Sequence, residues 1–247
     1  MAFTLYNAPQ STCSQRVRFV LNAKGLAFEE KKLDLLAGDQ LKPDYLALNP
    51  NGVVPTLVHD GEVVIDSSVI IEYLDEIVPQ GETFTPREPG ERARMRSLMR
   101  FIDEMPAAAV RVPTFNLAFL PRFAKMSEEE FLAFAESKPL RKEFMLAMGR
   151  KGFPEKEMKA ALDRMNRTYE RMEAAITASG GPFLQGKQPT LADVAVMRRS
   201  CAWTISVSPA CGLIGRRWAA GTTPSAPIPR SSRPTTPARC SPRSSRI

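Results

Sequence analysis

The most informative stretch of the sequence is Asn49-Pro50-Asn51-Gly52-Val53-Val54-Pro55-Thr56-Leu57. Its first four residues are a dense turn signal. The pattern then predicts a strand over residues 53–58, although the proline inside it cannot donate a ladder hydrogen bond. The two-residue turn Asp60-Gly61 joins that strand to a partner over residues 62–65. The stretch therefore predicts a hairpin whose first strand contains a proline.

The segments on either side of this hairpin complete a small α/β unit. Before it, alternation predicts a strand over residues 3–6, apolar spacing predicts a helix over 13–23, and alternation returns over 28–33. After it, Asp66 and Ser67 have the character of a helix N-cap, and a helix is predicted over residues 68–77. We therefore expect strand, helix, strand, hairpin and helix within residues 1–80.

A polar linker over residues 79–89 leads into a region of different character. Helical periodicity dominates residues 91–177, where prolines at 113 and 121 interrupt an apolar run, and Ser127 opens a further short helix. The tetrapeptide Thr190-Leu191-Ala192-Asp193 has the form of a capping box at the start of another helix. We expect an all-helical domain over residues 88–197.

The positive charge of the chain is concentrated at its C-terminal end. The formal net charge is +7, but residues 198–247 hold nine of the 34 basic residues and no acidic one, which leaves 25 basic against 27 acidic residues before them. The excess of positive charge therefore lies in residues 198–247, and it does not indicate a nucleic-acid-binding surface on the folded part of the chain. No apolar run is long enough to span a membrane and no signal-peptide pattern precedes the first strand, so we expect a cytoplasmic protein. A single histidine, His59, predicts no metal site.

Three motifs, in order along the chain, carry a resemblance to a known family. They are Ser11-Thr12-Cys13-Ser14-Gln15-Arg16-Val17-Arg18, the stretch at 49–57, and Asp66-Ser67-Ser68-Val69-Ile70-Ile71-Glu72-Tyr73-Leu74. In this order and at this spacing they resemble the glutathione transferase superfamily, and the resemblance covers residues 1–197. It implies an N-terminal thioredoxin-like α/β domain over 1–80, an all-α domain over 88–197, and glutathione as the co-substrate.

The resemblance also implies which residues hold the cysteinyl and glycyl parts of glutathione. Pro55 is implied to be a cis proline, with Val54 pairing its backbone N–H and C=O to the cysteinyl backbone, as in the addition of a strand to a sheet edge. Gln40 and Lys42 lie where relatives place residues that reach the glycyl carboxylate. A pair of solvated loop residues is the alternative for these two.

Asp66 and Ser67 are implied to hold the γ-glutamyl end. In the family, the hydroxyl and backbone N–H of this pair take the carboxylate, and the acidic side chain faces the ammonium. A helix N-terminus favours a carboxylate ligand, which agrees with that assignment. Simple N-capping by Asp66 is the alternative, and both roles are compatible.

The thiol of glutathione needs assistance to ionise near neutral pH, because a free thiol has a pKa of about 8.5. A hydroxyl donor at a helix N-terminus lowers that pKa. Ser11 aligns with the catalytic serine of the serine-type classes, and we expect it to serve the thiol. Thr12 or Ser14 could serve instead, and Cys13 is the main competitor, because some relatives carry a cysteine that forms mixed disulfides.

The helical region narrows the expected reaction. Lys151-Gly152-Phe153-Pro154-Glu155, before a long helix, resembles the bacterial β-etherases of lignin breakdown, in which the glutathione thiolate displaces a phenolate from an aryl ether. The resemblance implies a small aromatic or hydrophobic electrophile and a homodimer. The alternatives are a general detoxifying transferase, a zeta-like isomerase and, from a different class, a non-catalytic interaction module.

The composition of residues 198–247 differs from that of the rest of the chain. They contain no Lys and no acidic residue, but seven of the 21 Pro and both Trp of the chain. If their codons are regrouped by one base, with third bases chosen freely, the tail can be read to contain RPAVGRWYDAIRADPAF, which resembles the last helices of glutathione transferases. We therefore expect a shifted reading frame after residue 197 and an aberrant, disordered tail.

Overall fold

A computed structural model describes residues 1–79 and 83–196, so the predicted aberrant tail lies outside the described residues. Four strands form one mixed sheet in the order β2-β1-β3-β4: β1 (Phe3–Asn7), β2 (Phe28–Lys32), β3 (Thr56–His59) and β4 (Glu62–Ile65). β1 pairs in parallel with β2 and antiparallel with β3, which forms an antiparallel hairpin with β4. The predicted hairpin is therefore present.

Three helices complete the α/β half: α1 (Thr12–Ala23), α2 (Pro43–Leu48) and α3 (Ser67–Ile77). α1 crosses over between the two parallel strands, and it packs with α3 through buried apolar residues. A short 3-10 turn, Asp39–Leu41, precedes α2. This arrangement of sheet and helices is thioredoxin-like.

The strand that follows the informative stretch is shorter than predicted. β3 begins at Thr56, whereas alternation predicted a strand from residue 53. The C=O of Val53 instead accepts hydrogen bonds from the hydroxyl of Tyr45 at 2.6 Å and from Nδ2 of Asn49 at 2.9 Å. Since Pro55 has no N–H to donate, the ladder starts after it.

The second half is helical, as predicted: α4 (Pro89–Thr114), α5 (Leu120–Phe123), α6 (Glu128–Glu136), α7 (Lys142–Met148) and α8 (Glu155–Ser179). Ser127 caps α6 with a complete capping box. Thr190 directly precedes the helical residues 191–196, and its N–H and hydroxyl donate hydrogen bonds to the carboxylate of Asp193. None of the described helices combines the length and the apolar character that crossing a membrane requires.

The prolines of the helical half act differently from the prediction. Pro113 lies inside α4, and the helix changes character after it, at the π-helical turn Phe115–Phe119. Pro121 lies in the first turn of α5. Backbone N–H groups in a first turn have no acceptor within the helix, so a proline there costs no hydrogen bond. The interruption is thus a wide helical turn between α4 and α5, and it faces the cavity described below.

One cluster of buried apolar residues joins the two halves. It runs from the sheet through α1 and α3 to α4, α8 and the helical residues 191–196. Its fully buried members include Leu5, Leu57, Ile70, Ile102 and Leu191. A second, aromatic-rich cluster lies beneath α5, α6 and α7. The helical half is therefore packed against the α/β half through α1 and α3.

Candidate active site

The hydroxyl of Ser11 lies at the N-terminus of α1. Ser11 is the N-cap residue, with extended backbone (φ −72°, ψ 120°), and its Oγ accepts a hydrogen bond from the N–H of Ser14 at 3.3 Å. Because this oxygen is engaged as an acceptor, the O–H proton is available to donate to an anion. The positive end of the helix dipole favours negative charge at the same place. The arrangement can therefore stabilise a thiolate.

The neighbouring candidates differ in their surroundings. Thr12 and Cys13 are half-buried and line the same cavity as Ser11. Ser14 is fully buried, and its Oγ accepts a long hydrogen bond, 3.4 Å, from the N–H of Ala8. The side chain of Ser14 thus supports the loop before α1.

A cavity of about 340 Å³ opens beside the N-terminus of α1. Its α/β side brings together Ser11, Gln40 and Val54, three residues that the sequence predicts to act at one site. Its helical side is rich in aromatic side chains, namely Phe115, Phe119, Phe123 and Phe134. The volume suits a small molecule, and the aromatic side faces the predicted thiol position.

Gln40 and Lys42 lie in different environments. Gln40 is 7% exposed, and its Oε1 is buried without a hydrogen-bond partner among the described residues. An unsatisfied buried acceptor costs about 1–3 kcal/mol, which an N–H of a bound peptide such as glutathione would recover. Lys42 is exposed, and its Nζ pairs at 2.8 Å with Asp39, which raises the pKa of Lys42. Gln40 lines the cavity and Lys42 does not.

The turn before β3 brings backbone to the cavity. The Val54–Pro55 peptide bond is cis, as the resemblance implies. Tyr45, whose pKa is raised by burial, holds this turn through its hydroxyl, and Asn49 holds it through its side-chain amide. Val54 lines the cavity, directly after a residue whose carbonyl is held by two side chains.

The N-terminus of α3 carries a charge cluster. Ser67 is 3% exposed, and its Oγ accepts hydrogen bonds from Nε of Arg16, at 2.8 Å, and from Nη2 of the same residue. The guanidinium also donates from Nη1 and Nη2 to Oδ1 of Asp103, each at 3.0 Å. Because N–H donors occupy the oxygen of Ser67, its O–H proton points away from Arg16 and can donate to a carboxylate.

Asp66 caps the same helix. Its backbone has a left-handed φ of 68°, and its Oδ1 accepts from the N–H of Ser68 at 2.8 Å and of Val69 at 3.3 Å. The capping alternative is therefore present in the structure. Since Asp66 is exposed, its second carboxylate oxygen can still face an ammonium group.

Comparison with known proteins identifies the relatives of this chain. Residues 10–77 match the model of the glutathione S-transferase N-terminal domain. Over 197 residues the chain is 30% identical to the protein LigF of Sphingobium sp. strain SYK-6, covering 78% of this chain and 76% of LigF. The chain belongs to the glutathione S-transferase superfamily. This transferase is also 31% identical to a maleylacetoacetate isomerase of Rhizobium meliloti, over 85% of this chain and 86% of that protein.

Solved structures agree with the architecture of this transferase. The crystal structure of the β-etherase LigF from Sphingobium sp. strain SYK-6 matches with a TM-score of 0.72 at 27% identity, covering 89% of this chain and 100% of that one. A maleylacetoacetate isomerase from Methylobacterium extorquens AM1, solved with malonate and glutathione bound, matches with a TM-score of 0.61 at 28% identity, covering 91% and 100%. The predicted fold is confirmed, and glutathione is the co-substrate.

Two parts of the site of this transferase are not predicted by the motifs. Arg16 precedes the buried Val20 by four residues, which places it on the buried face of α1, but its partner Asp103 is 87 positions away. On the helical side of the cavity the unpredicted residues are cationic: Arg111, Arg122, Lys138 and Arg141. The described residues contain no cluster of side chains that could hold a metal ion.

Proposed function

We propose that this transferase ionises the thiol of glutathione with the help of Ser11 and transfers the thiolate to a small aromatic or hydrophobic electrophile. The observation that carries the proposal is the hydroxyl of Ser11, which caps α1 and borders a cavity with an aromatic side. The oxygen of this hydroxyl accepts a hydrogen bond from the N–H of Ser14, so its proton can be donated to the sulfur of glutathione. Donation to the thiolate lowers the pKa of the thiol.

Each part of glutathione has a partner in this proposal. The hydroxyl of Ser67, fixed by Arg16, donates to the γ-glutamyl carboxylate, and the carboxylate of Asp66 faces the ammonium. The backbone of Val54 pairs with the cysteinyl backbone. Gln40, with its unsatisfied Oε1, faces the glycyl end. Binding at several points positions the sulfur for attack before the reaction begins. Such positioning is the main catalytic contribution that this chemistry requires from the protein.

The narrower reaction that we propose is cleavage of a β-aryl ether. The thiolate sulfur forms a bond to the carbon that bears the aryl ether while the C–O bond breaks. The electron pair of that bond leaves with the oxygen as a phenolate, which then takes a proton from water, and the thiol proton goes to solvent. The products are a glutathione thioether and a phenol. The likeness to the β-etherase LigF and the aromatic side of the cavity support this reaction.

An isomerase is the second candidate, because the chain is similar to maleylacetoacetate isomerases over most of its length. A general detoxifying transferase and a non-catalytic interaction module are the remaining alternatives. Incubation with glutathione and a β-aryl ether dimer separates them. We expect mass spectrometry to show the thioether and the released phenol in equal amounts. Isomerisation of maleylacetoacetate without a thioether would favour the isomerase, and retention on immobilised glutathione without any turnover would favour the module.

The role of Ser11 has its own test. Ser11→Ala should raise the pKa of bound glutathione by one unit or more, about 1.4 kcal/mol per unit, while the affinity for glutathione changes little. The pKa is read from the ultraviolet absorbance of the thiolate as the pH is raised. Cys13→Ala is the matched control on the same turn and should leave the titration unchanged. The opposite pattern would assign the role to Cys13.

We also propose that the protein is a cytoplasmic homodimer with domain limits at residues 1–80 and 88–197. Membership of the superfamily supports the dimer, and the change from a sheet to helices near these limits supports the domains. Light scattering on the purified chain tests the dimer. A mass that corresponds to one chain at micromolar concentration would contradict it.

A further inference from the structure

The helical side of the cavity carries an unusual concentration of positive charge. Four cationic side chains line it, and no Asp or Glu is among the described residues that do so. These cations are Arg111, Arg122, Lys138 and Arg141. They line the same side of the cavity as the aromatic rings described above. A site that accepts purely apolar electrophiles has no use for such charge, because desolvating a cation costs free energy.

Lys138 is the clearest case. The residue is 9% exposed, and its Nζ lies 4.1 Å from the centre of the Phe134 ring, with no carboxylate within 4 Å among the described residues. Burial, together with the neighbouring Arg122, lowers the pKa of Lys138 to about 8. The side chain is therefore charged at neutral pH, although its surroundings oppose the charge. A bound anion would instead favour the charged form of Lys138.

Arg141 presents a second, half-buried cation on the same side of the cavity. It is the N-cap residue of α7, and burial lowers its pKa, while the thiol of Cys13 acts in the opposite direction. No ion pair with Asp or Glu forms within the described part of the chain. Lys138 and Arg141 thus lie just before α7, and both line the cavity.

The carboxylates of glutathione have other partners in the proposed function. The γ-glutamyl carboxylate lies at Ser67, whose hydroxyl is oriented by Arg16, and the glycyl end lies at Gln40 on the α/β side. The cations on the helical side are next to the aromatic rings, where the second substrate is expected. An anionic group attached to an aromatic ring would match both features of this side.

On these observations, and resting on the proposed function, we propose that the second substrate is an aromatic acid. Its carboxylate is bound by Lys138 and Arg141, and its ring lies among Phe115, Phe119 and Phe134. The pairing of a carboxylate with two cations also sets the direction of the ring, so that the reacting carbon faces the sulfur near Ser11. These two cations determine specificity and take no part in bond breaking.

Binding, which does not need turnover, tests this inference separately from the proposed function. The full chain is saturated with S-methylglutathione, and the affinities for 4-methylbenzoate and 4-methylbenzamide are measured by calorimetry. We expect the acid to bind at least tenfold more tightly than the amide. Lys138→Met should reduce that ratio to about one, and Arg141→Met should reduce it severalfold. Lys142→Met, an exposed lysine on α7 that pairs with Glu136, is the matched control and should keep the wild-type ratio.

Each outcome decides the inference. Equal affinities for acid and amide in the wild-type protein would overturn it, even if the protein conjugates glutathione. A tenfold loss of glutathione affinity in Lys138→Met, with the ratio of acid to amide unchanged, would assign the cations to glutathione and also overturn it. Preference for the acid, abolished in Lys138→Met, would support it even if no conjugation is found. The Met side chain replaces the buried stem without a charge, so we expect these variants to fold.

Discussion

Replacing Arg16 by methionine perturbs the charge cluster at the start of α3. The Arg16 side chain is 3% exposed and that of Asp103 is 29% exposed. Methionine fills the space of the arginine stem but removes all four N–H hydrogen bonds to Ser67 and Asp103. Asp103 then keeps its charge without the cation, and Ser67 loses the donors that orient its hydroxyl. Both the stability of the fold and the affinity for glutathione should fall.

The size of each effect follows from burial. Removing one member of a fully buried ion pair costs about 3–5 kcal/mol. Because water reaches part of Asp103, we expect a cost somewhat below that range, about 2–3 kcal/mol, which lowers the midpoint of thermal unfolding by about 5–10 °C in a chain of this size. A mis-oriented Ser67 should weaken glutathione binding about tenfold, equivalent to about 1.4 kcal/mol.

The matched control is Arg96→Met. Arg96 also joins α4 to α3, through Glu72 at 2.6 Å, but its side chain is 49% exposed. An exposed ion pair contributes about 0–1 kcal/mol, so this variant should unfold and bind glutathione much as the wild-type protein does. Thermal unfolding followed by circular dichroism and calorimetry with glutathione measure both effects. If Arg16→Met and Arg96→Met were indistinguishable in both measurements, the role assigned to the cluster would be wrong.

Three further predictions concern the rest of the site and the tail. Ser67→Ala should weaken glutathione binding by about 1–3 kcal/mol through the loss of a charge-assisted hydrogen bond, with less effect on stability than Arg16→Met; calorimetry that finds equal affinity would remove Ser67 from the site. The preference for an acid over its ester in conjugation should fall as the pH rises through about 8, because Lys138 is charged below its pKa and neutral above it. The ratio of the two rates cancels the ionisation of glutathione, and a ratio independent of pH would contradict this assignment. Sequencing the coding DNA around codon 197 should reveal a single inserted or deleted base, and a gene in which no such change restores a helical tail of balanced charge that contains RPAVGRWYDAIRADPAF would refute the shifted frame.

Local patterns predicted most of the fold. The turn chemistry at Asn49–Gly52 and Asp60-Gly61, the capping residues Asp66 and Ser127, and the apolar spacing of α1 and α8 each act within a few residues. The assignment of Ser11 came instead from the resemblance to the family, and the structure shows that this residue is the N-cap of α1. What the sequence could not predict depends on contacts between distant segments. Arg16 of α1 and Asp103 of α4 form hydrogen bonds across 87 positions of the chain, and no local pattern indicates that pairing.

The buried cations of this transferase fall into two groups, and the difference between them bears on function. Arg16 has a carboxylate and a hydroxyl as acceptors, so its charge is compensated within the protein, and its role is to hold Ser67 in place. Lys138, which is buried, and Arg141, which is half-buried, have no such carboxylate among the described residues, so the protein bears the cost of desolvating them until an anion binds. A compensated charge stabilises the folded state and positions a neighbour, whereas an uncompensated charge on a cavity surface gains its stabilisation from a ligand. On that reasoning the α/β half supplies a rigid place for glutathione, and the helical half, through α5 to α7, selects the second substrate by its charge.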